Sequence, residues 1–278
     1  MSHHTNHSLG IKVSNSVLLA TLAVLNLNLV QSTTPLTGAD TVARHESLRA
    51  VPYAHANPAW AGYVVVVPSN KLISSVSGGW TVPRVQCPKA GPAISYAAEW
   101  IGIDGYNTTT VEQTGTETAC QRGIPTYSAW VEMFAQSAAH SGSEYSLRSE
   151  TYLVAPGDEM YAEVVAPTTG VSSKWRLTIT NLSRNWVYTA TESAPRQTRQ
   201  HTVEWIVERP TIGKSTLAPL SRFGSVSFSN ANYRVGNSNL ALSSTRGELA
   251  LVMAASNQLL ASPSVTSPRT DGFTIMRH

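Results

Sequence analysis

Charge is scarce in this chain. Asp, Glu, Lys and Arg make up 13% of 278 residues, about half of what an average globular domain carries. No Lys/Arg run stands out and the formal net charge is only +3, so an electrostatic footprint for nucleic acid is missing. Cysteine is limited to Cys87 and Cys120, and neither a CxxC nor an HExxH pattern accompanies them, which argues against a zinc site. A GxSxG nucleophile elbow is absent. From residue 57 onward the only aspartates are Asp104, Asp158 and Asp271, none in a DTG-like turn, so a paired-Asp peptidase site is excluded. Helical periodicity is also missing from the body of the chain.

What is present is an N-terminal targeting pattern followed by many short strands. Lys12 precedes an apolar run from Val17 to Val30, broken only by Thr21, Asn26 and Asn28, and Val30 and Ser32 suit a cleavage after Ser32. The run is too short and polar for a membrane-spanning helix. Residues 1–32 therefore read as a signal peptide, and His3, His4 and His7 as part of its solvated leader. Residues 33–56, polar with a weakly helical stretch around Arg44 to Arg49, read as a propeptide or linker. The expected domain is 57–278, in a secreted protein with no stable membrane association.

Within that domain the strand candidates are GYVVVV at 62–67, AAEWIGID at 97–104, TYSAWVEMF at 126–134, EMYAEVVA at 159–166, KWRLTIT at 174–180, NWVYTAT at 185–191, TVEWIVE at 202–208 and ELALVMA at 248–254. Alternation is clean in several. Trp175, Leu177 and Ile179 share one face, and Lys174, Arg176 and Thr178 the other. DGFTIMR at 271–277 reads as a turn and a closing strand. Regularly spaced strands with Gly, Pro, Ser and Asn between them predict an all-β sandwich or barrel. Two sequons, NTT at Asn107–Thr109 and NLS at Asn181–Ser183, carry meaning only in a eukaryotic host. Cys87 and Cys120 are a candidate disulfide in an exported protein, although sequence does not supply the Cα distance such a bridge requires. No amphipathic seam calls for an obligate oligomer, so a monomer is expected.

Two motifs about ninety residues apart carry the chemistry: WIGIDG at Trp100–Gly105 with EQTG at Glu112–Gly115, and VEWIVE at Val203–Glu208. Strand alternation puts Val203, Trp205 and Val207 on one face and Glu204, Ile206 and Glu208 on the other. The first set would pack between sheets. The second would face an open, concave, solvent-facing surface. Taken singly, Glu204 reads as a solvated strand residue and Gln113 as an exposed amide.

Together with TYSAWVEMF at Thr126–Phe134 and FGSVSFSNA at Phe223–Ala231, these motifs resemble the eqolisins, the glutamic peptidase family. The resemblance spans most of the chain after about residue 57. It implies a two-sheet antiparallel β-sandwich of the concanavalin-like jelly-roll type and an endopeptidase acting on protein or peptide substrates. It also implies a catalytic pair, Glu204 as general base toward water and Gln113 as oxyanion donor, with no metal or organic cofactor. Around the pair it points to a supporting shell of Trp100, Asp104, Glu117, Trp130 and Glu132. Glu117 stands where an Asp is expected. Trp100 and Trp130 read equally well as core aromatics, and Glu132 as a surface charge. A base with an ordinary Glu pKa, and a second proton held by Glu117, Glu132 or Asp104, would give an acidic optimum between about pH 2 and 5, although the sequence pI of about 8.9 points the other way. A jelly-roll carbohydrate-binding protein or glycoside hydrolase is the competing reading, since Trp100, Trp130 and Trp205 could stack on sugars. Glu204 and Glu208 would lie roughly 13 Å apart along one strand, too far for a retaining pair.

Overall fold

A computed structural model describes residues 51, 54–89, 94–135, 143–168, 174–194, 196–213 and 215–278. The signal-peptide and propeptide readings fall almost wholly outside these residues. Strand structure begins with β1 (His55–Asn57), β2 (Trp60–Val66), β3 (Ile73–Thr81) and β4 (Ile94–Ile103). It continues through β5 (Thr110–Gln121), β6 (Ile124–Ala135), β7 (Ser143–Ser146), β8 (Glu159–Val165), β9 (Trp175–Asn181) and β10 (Trp186–Glu192). After β11 (Thr202–Glu208) come β12 (Thr211–Ile212), β13 (Thr216–Leu217), β14 (Ser225–Val235) and β15 (Ser238–Ala241). A 3-10 turn, Leu242–Ser244, precedes β16 (Leu249–Ala255), β17 (Gln258–Pro263) and β18 (Phe273–Arg277).

The hydrogen-bonded order is β10-β9-β8-β3-β14-β18-β17-β16-β2-β11-β4-β5-β6-β7, all antiparallel, with β1 added in parallel to β16. The ribbon folds over so that β4, β5 and β11 lie against β3, β8, β9 and β14. Two antiparallel layers pack face to face, as the alternation predicts. Between them sit Ala97, Ile101 and Ile103 of β4, Val203, Trp205 and Val207 of β11, Ile73, Val76 and Trp80 of β3, and Trp175, Leu177 and Ile179 of β9. Phe273 and Ile275 of the closing strand belong to the same core.

A second, smaller apolar cluster lies on the far face of the first layer. It contains Trp60, Val64, Ala98, Trp100, Val111, Trp130, Phe134, Ile206 and Leu251. That face is therefore not the bare solvated surface that alternation alone suggests. The NLS sequon is buried: Asn181 is 0% exposed and its amide donates to Asp158 Oδ2 at 2.7 Å. Asn107 is exposed.

Cys87 and Cys120 are joined, with Cα atoms 5.4 Å apart and 33 residues of separation. The bridge ties the segment after β3 to the end of β5, so it fastens the connection between β3 and β4 at one corner. By chain entropy, cutting a loop of this length costs about 4 kcal/mol. Replacing both cysteines by Ser is expected to lower stability by that order in urea unfolding. A fully folded variant with an unchanged midpoint would show that layer packing alone holds the corner.

Candidate active site

The site is assembled by strand register. Glu204 of β11 pairs with Gly102 of β4, Gly102 pairs with Gln113 of β5, Gln113 with Glu132 of β6, and Glu132 with Glu144 of β7. Directly opposed residues share a face, so one row across five strands reads Glu204, Gly102, Gln113, Glu132, Glu144. Glu204 and Gln113 thus stand two strands apart, roughly 10 Å between Cα atoms at about 4.8 Å per strand. Only a glycine separates them. A Cβ built on Gly102 would come within 3.1 Å of Gln113 Cβ and 3.2 Å of Trp100 Cζ3, so a larger residue there would crowd the gap. The next row reads Ile206, Trp100, Gly115, Trp130. At Gly115 a Cβ would meet Glu99 O at 2.2 Å and Trp100 Cβ at 2.7 Å, which is why a glycine follows the QT.

Sequence reasoning identified the face but not its cover. Glu204 is 0% exposed and Gln113 3%. Glu204 faces away from the inter-sheet core as expected, yet it is not solvent-facing. The chain after β4 reaches over it, with the Tyr106 backbone N–H donating to Glu204 Oε1 at 3.3 Å. Gln113 Nε2 donates to Glu132 Oε2 at 2.7 Å. Glu132 is 2% exposed, a buried partner rather than a surface charge. Gln113 Oε1 and Glu204 Oε2 are buried without a hydrogen-bond partner in the protein. Trp100 and Trp130 flank Gly115 on this face, and both are buried. They are core aromatics and site walls at once.

Two expected members of the shell are elsewhere. Asp104 ends β4 at φ 62°, and its carboxylate accepts the backbone N–H groups of Arg199, Gln200 and His201 at 2.7, 2.8 and 3.0 Å. It clamps the segment leading into β11 and so positions Glu204 indirectly. Glu117 lies four residues along β5 from Gln113, roughly 13 Å away at about 3.3 Å per residue. It sits in the row of Glu208 and Ala98 instead.

The electrostatics are dominated by burial. Loss of hydration pushes Glu204 well above the ordinary carboxyl value, and nearby Asp104 adds to this, while the Tyr106 amide opposes it. Burial raises Glu117 to about 8, helped by Glu144 and Glu99. Glu208 is raised to about 7 by burial, against hydrogen bonds from Trp60 and Trp100 and with Glu144 adding. Glu144 is also raised by burial.

Two further carboxyls went unrecognised in the sequence. Glu99 and Glu112 fall on the inter-sheet face, and both are 0% exposed. Burial raises Glu99 to about 8, and its hydrogen bonds agree with a neutral acid. Trp80 Nε1 donates to Thr116 Oγ1 at 2.9 Å, which donates to Glu99 Oε2 at 2.8 Å. Thr118 Oγ1 lies 2.9 Å from Glu99 Oε1 and 3.2 Å from Ala97 O. A hydroxyl has one proton to give. If Glu99 is protonated, it donates to Thr118, Thr118 donates to Ala97, and every group is satisfied. Glu112, raised by burial and then by Asp104 and Glu204, has no comparable network. The available signal was the pattern of Glu99 among Ala97, Ile101 and Ile103, a polar residue in an apolar phase.

These features define a class: an all-β sandwich with a carboxyl and a primary amide on either side of a glycine, sharing one carboxyl-rich face. The model of the Peptidase A4 family matches residues 58–275. The chain therefore belongs to the peptidase A4 family, a family of hydrolases acting on peptide bonds. Aspergillopepsin-2 of Aspergillus niger is 27% identical over 200 residues, 65% of this chain and 66% of that protein, so the match spans about two thirds of that relative's length. Aspergilloglutamic peptidase from Aspergillus niger superposes with TM-score 0.55 at 27% identity over 66% of this chain and 99% of that one. Scytalido-glutamic peptidase, solved with a peptide-based transition state analog, gives TM-score 0.64 at 19% identity over 80% and 99%; at that identity the likeness is one of fold. Membership of this family displaces the carbohydrate-related reading.

Raised carboxyls make stability depend on pH with a definite sign. An acid whose folded pKa lies above its unfolded one holds its proton better when folded. Its contribution is intact below the unfolded pKa near 4.5 and is lost as pH climbs to the folded value, about 8 for Glu99 and Glu117 and about 7 for Glu208. Unfolding free energy is expected to fall between about pH 4.5 and 8, with Glu99 contributing at most about 1.4 kcal/mol per pH unit. Glu99→Gln, which keeps a donor and an acceptor, should flatten that slope in urea titrations. An identical slope in wild type and variant would place the buried proton elsewhere.

Proposed function

We propose that the chain is a secreted glutamic endopeptidase in which Glu204 and Gln113 act on the scissile peptide bond together. The observation that carries this reading is the Glu204–Gly102–Gln113 row, with one unpartnered buried oxygen on each polar side chain. Ionised Glu204 takes a proton from water, and the water oxygen attacks the carbonyl carbon. Gln113 can donate to the oxyanion of the tetrahedral intermediate through the Nε2 hydrogen not committed to Glu132, while its Oε1 orients the water. Glu132 fixes the amide by accepting from Nε2, which leaves Oε1 without a partner in the protein. Protonated Glu204 then returns the proton to the leaving amine, so the base is regenerated with each turnover.

Removing the base and removing the oxyanion donor should look different. Glu204→Gln is nearly isosteric at a fully buried position, so it is expected to fold and to lose proteolysis of a denatured protein. A well-folded variant with a tenth of wild-type turnover would refute the assignment. Gln113→Ala should lower kcat by about 100- to 1,000-fold, with a smaller change in KM, because the oxyanion contact strengthens in the transition state. A change confined to KM would make Gln113 a substrate-binding residue.

The burial of Glu204 also moves the expected pH profile. An ordinary Glu would set an acidic limb near 4. With Glu204 raised above 4.5, the ascending limb shifts upward, and the carboxylate that does form is a stronger base. The descending limb is expected where Glu117, on the same face, loses its proton, at about 8. An optimum higher than the resemblance alone suggests follows, and it accords with the basic pI. Measuring kcat/KM on one peptide from about pH 2 to 9 tests this. A maximum below about pH 4 would mean that Glu204 is far better hydrated in the working enzyme.

A further inference from the structure

The resemblance and the mechanism leave Glu208 without a role. It lies on β11, four residues beyond Glu204 and on the same face, in the row Trp60, Glu208, Ala98, Glu117. Its carboxyl faces two indoles. Trp100 Nε1 donates to Glu208 Oε2 at 2.8 Å, and Trp60 is the register partner of Glu208 on β2. The two rings stand edge to face, centroids 5.1 Å apart at 79°. Both are almost wholly buried, Trp60 5% and Trp100 0% exposed.

The other edge of the Trp100 ring reaches the catalytic row. Its Cζ3 lies where a Gly102 Cβ would be only 3.2 Å away, and that same Cβ would be 3.1 Å from Gln113 Cβ. The indole therefore spans the interval between the two rows, its N–H end held at Glu208 and its benzo edge beside Gly102. Gly115 also lets the Trp100 Cα and Cβ sit close against the β5 backbone with no side chain between. Without an acceptor at position 208, the Trp100 indole N–H would be buried unpaired, and the ring would have reason to turn. A turned Trp100 would change the floor of the gap between Glu204 and Gln113.

We propose that Glu208 is a positioning residue that fixes Trp100, and through it the spacing across Gly102 on which the Glu204–Gln113 pair depends. The inference rests on the reading of that pair as the catalytic one. The requirement is for a hydrogen-bond acceptor of this length, so an amide should serve where an alkyl chain cannot. The titratable groups around it are Glu117 and Glu144 across the sheet and Glu204 along β11. The neighbouring Arg209 turns away, its guanidinium donating to Ala218 O and Leu217 O. Glu208 thus titrates with carboxyls around it and no facing cation among these groups, and burial places its own proton loss near 7.

The test compares Glu208→Gln with Glu208→Leu in the full-length chain, reading peptide kinetics and intrinsic tryptophan emission against pH. Glu208→Gln should retain at least tenfold more kcat than Glu208→Leu, with KM changing less than threefold between them. Wild-type emission should show a step near pH 7 as the charged carboxylate forms beside the indoles. The step should vanish in Glu208→Gln, and should lose most of its amplitude in Trp100→Phe. Equal kcat in the Gln and Leu variants, or a step that survives in Glu208→Gln, would overturn the proposal. The emission step does not require activity, so its presence in an inactive Glu204→Gln protein still supports the Glu208–Trp100 link, and activity persisting in Glu204→Gln would instead remove the catalytic reading.

Discussion

Everything about the site depends on the register between β11 and β4. Glu204 opposes Gly102 and Trp205 opposes Ile101. A slip of one residue would turn Glu204 into the inter-sheet core and bring Trp205 out to the catalytic face, because side chains alternate with a period of two. Trp205 guards against that slip. It is 0% exposed between the layers, and its indole donates to Ser77 O at 2.9 Å across from β3. Gly78, whose Cβ would lie 2.9 Å from the Trp205 ring, keeps the space for it. The core thus specifies the active face from behind.

The second constraint is how a fold with so little charge stores so many carboxyls. Glu99, Glu112, Glu117, Glu144, Glu204 and Glu208 are all pushed upward by loss of hydration. The two ion pairs seen among the described residues, Arg176–Glu163 and Arg184–Asp158, involve none of them. A buried carboxylate without a cation is costly, and protonation is the way out. Glu99, fully buried and raised to about 8, is better regarded as a neutral hydrogen-bonding group over much of the pH range than as a negative charge. That reconciles a carboxyl-lined site with a basic pI, since the formal count of +3 treats every one of these carboxyls as ionised.

The layout was largely legible in the sequence, and the reasons differ by element. Alternation in KWRLTIT and VEWIVE separated the faces correctly because each strand has one apolar side packed between layers. Gln113 was harder. Alone it reads as an exposed amide, and its burial comes with neighbours on the same face, Glu132 of β6 among them, which its own polar strand does not advertise. Glu99 was hidden for the opposite reason: its strand is so apolar that one acid in it reads as an exception rather than as a core proton. The cover over Glu204 was also illegible. Strand period assigns a side chain to a face, and whether a loop such as the one carrying Tyr106 lies over that face is a tertiary fact.

Why one member of the pair should be an amide follows from the same electrostatics. Two carboxyls flanking Gly102 would share their titration with each other and with the surrounding acids, so neither would keep a fixed donor or acceptor role as pH changed. An amide does not titrate. Gln113 presents one acceptor and two donor hydrogens at every pH, and one of those hydrogens is spent on Glu132, which removes the freedom to flip. The proton-transfer task then falls to Glu204 alone, while the oxyanion donor keeps its role whatever charge the neighbouring carboxyls carry. In a site crowded with acids of shifted pKa, a group that cannot change its protonation is what allows the one beside it to do so.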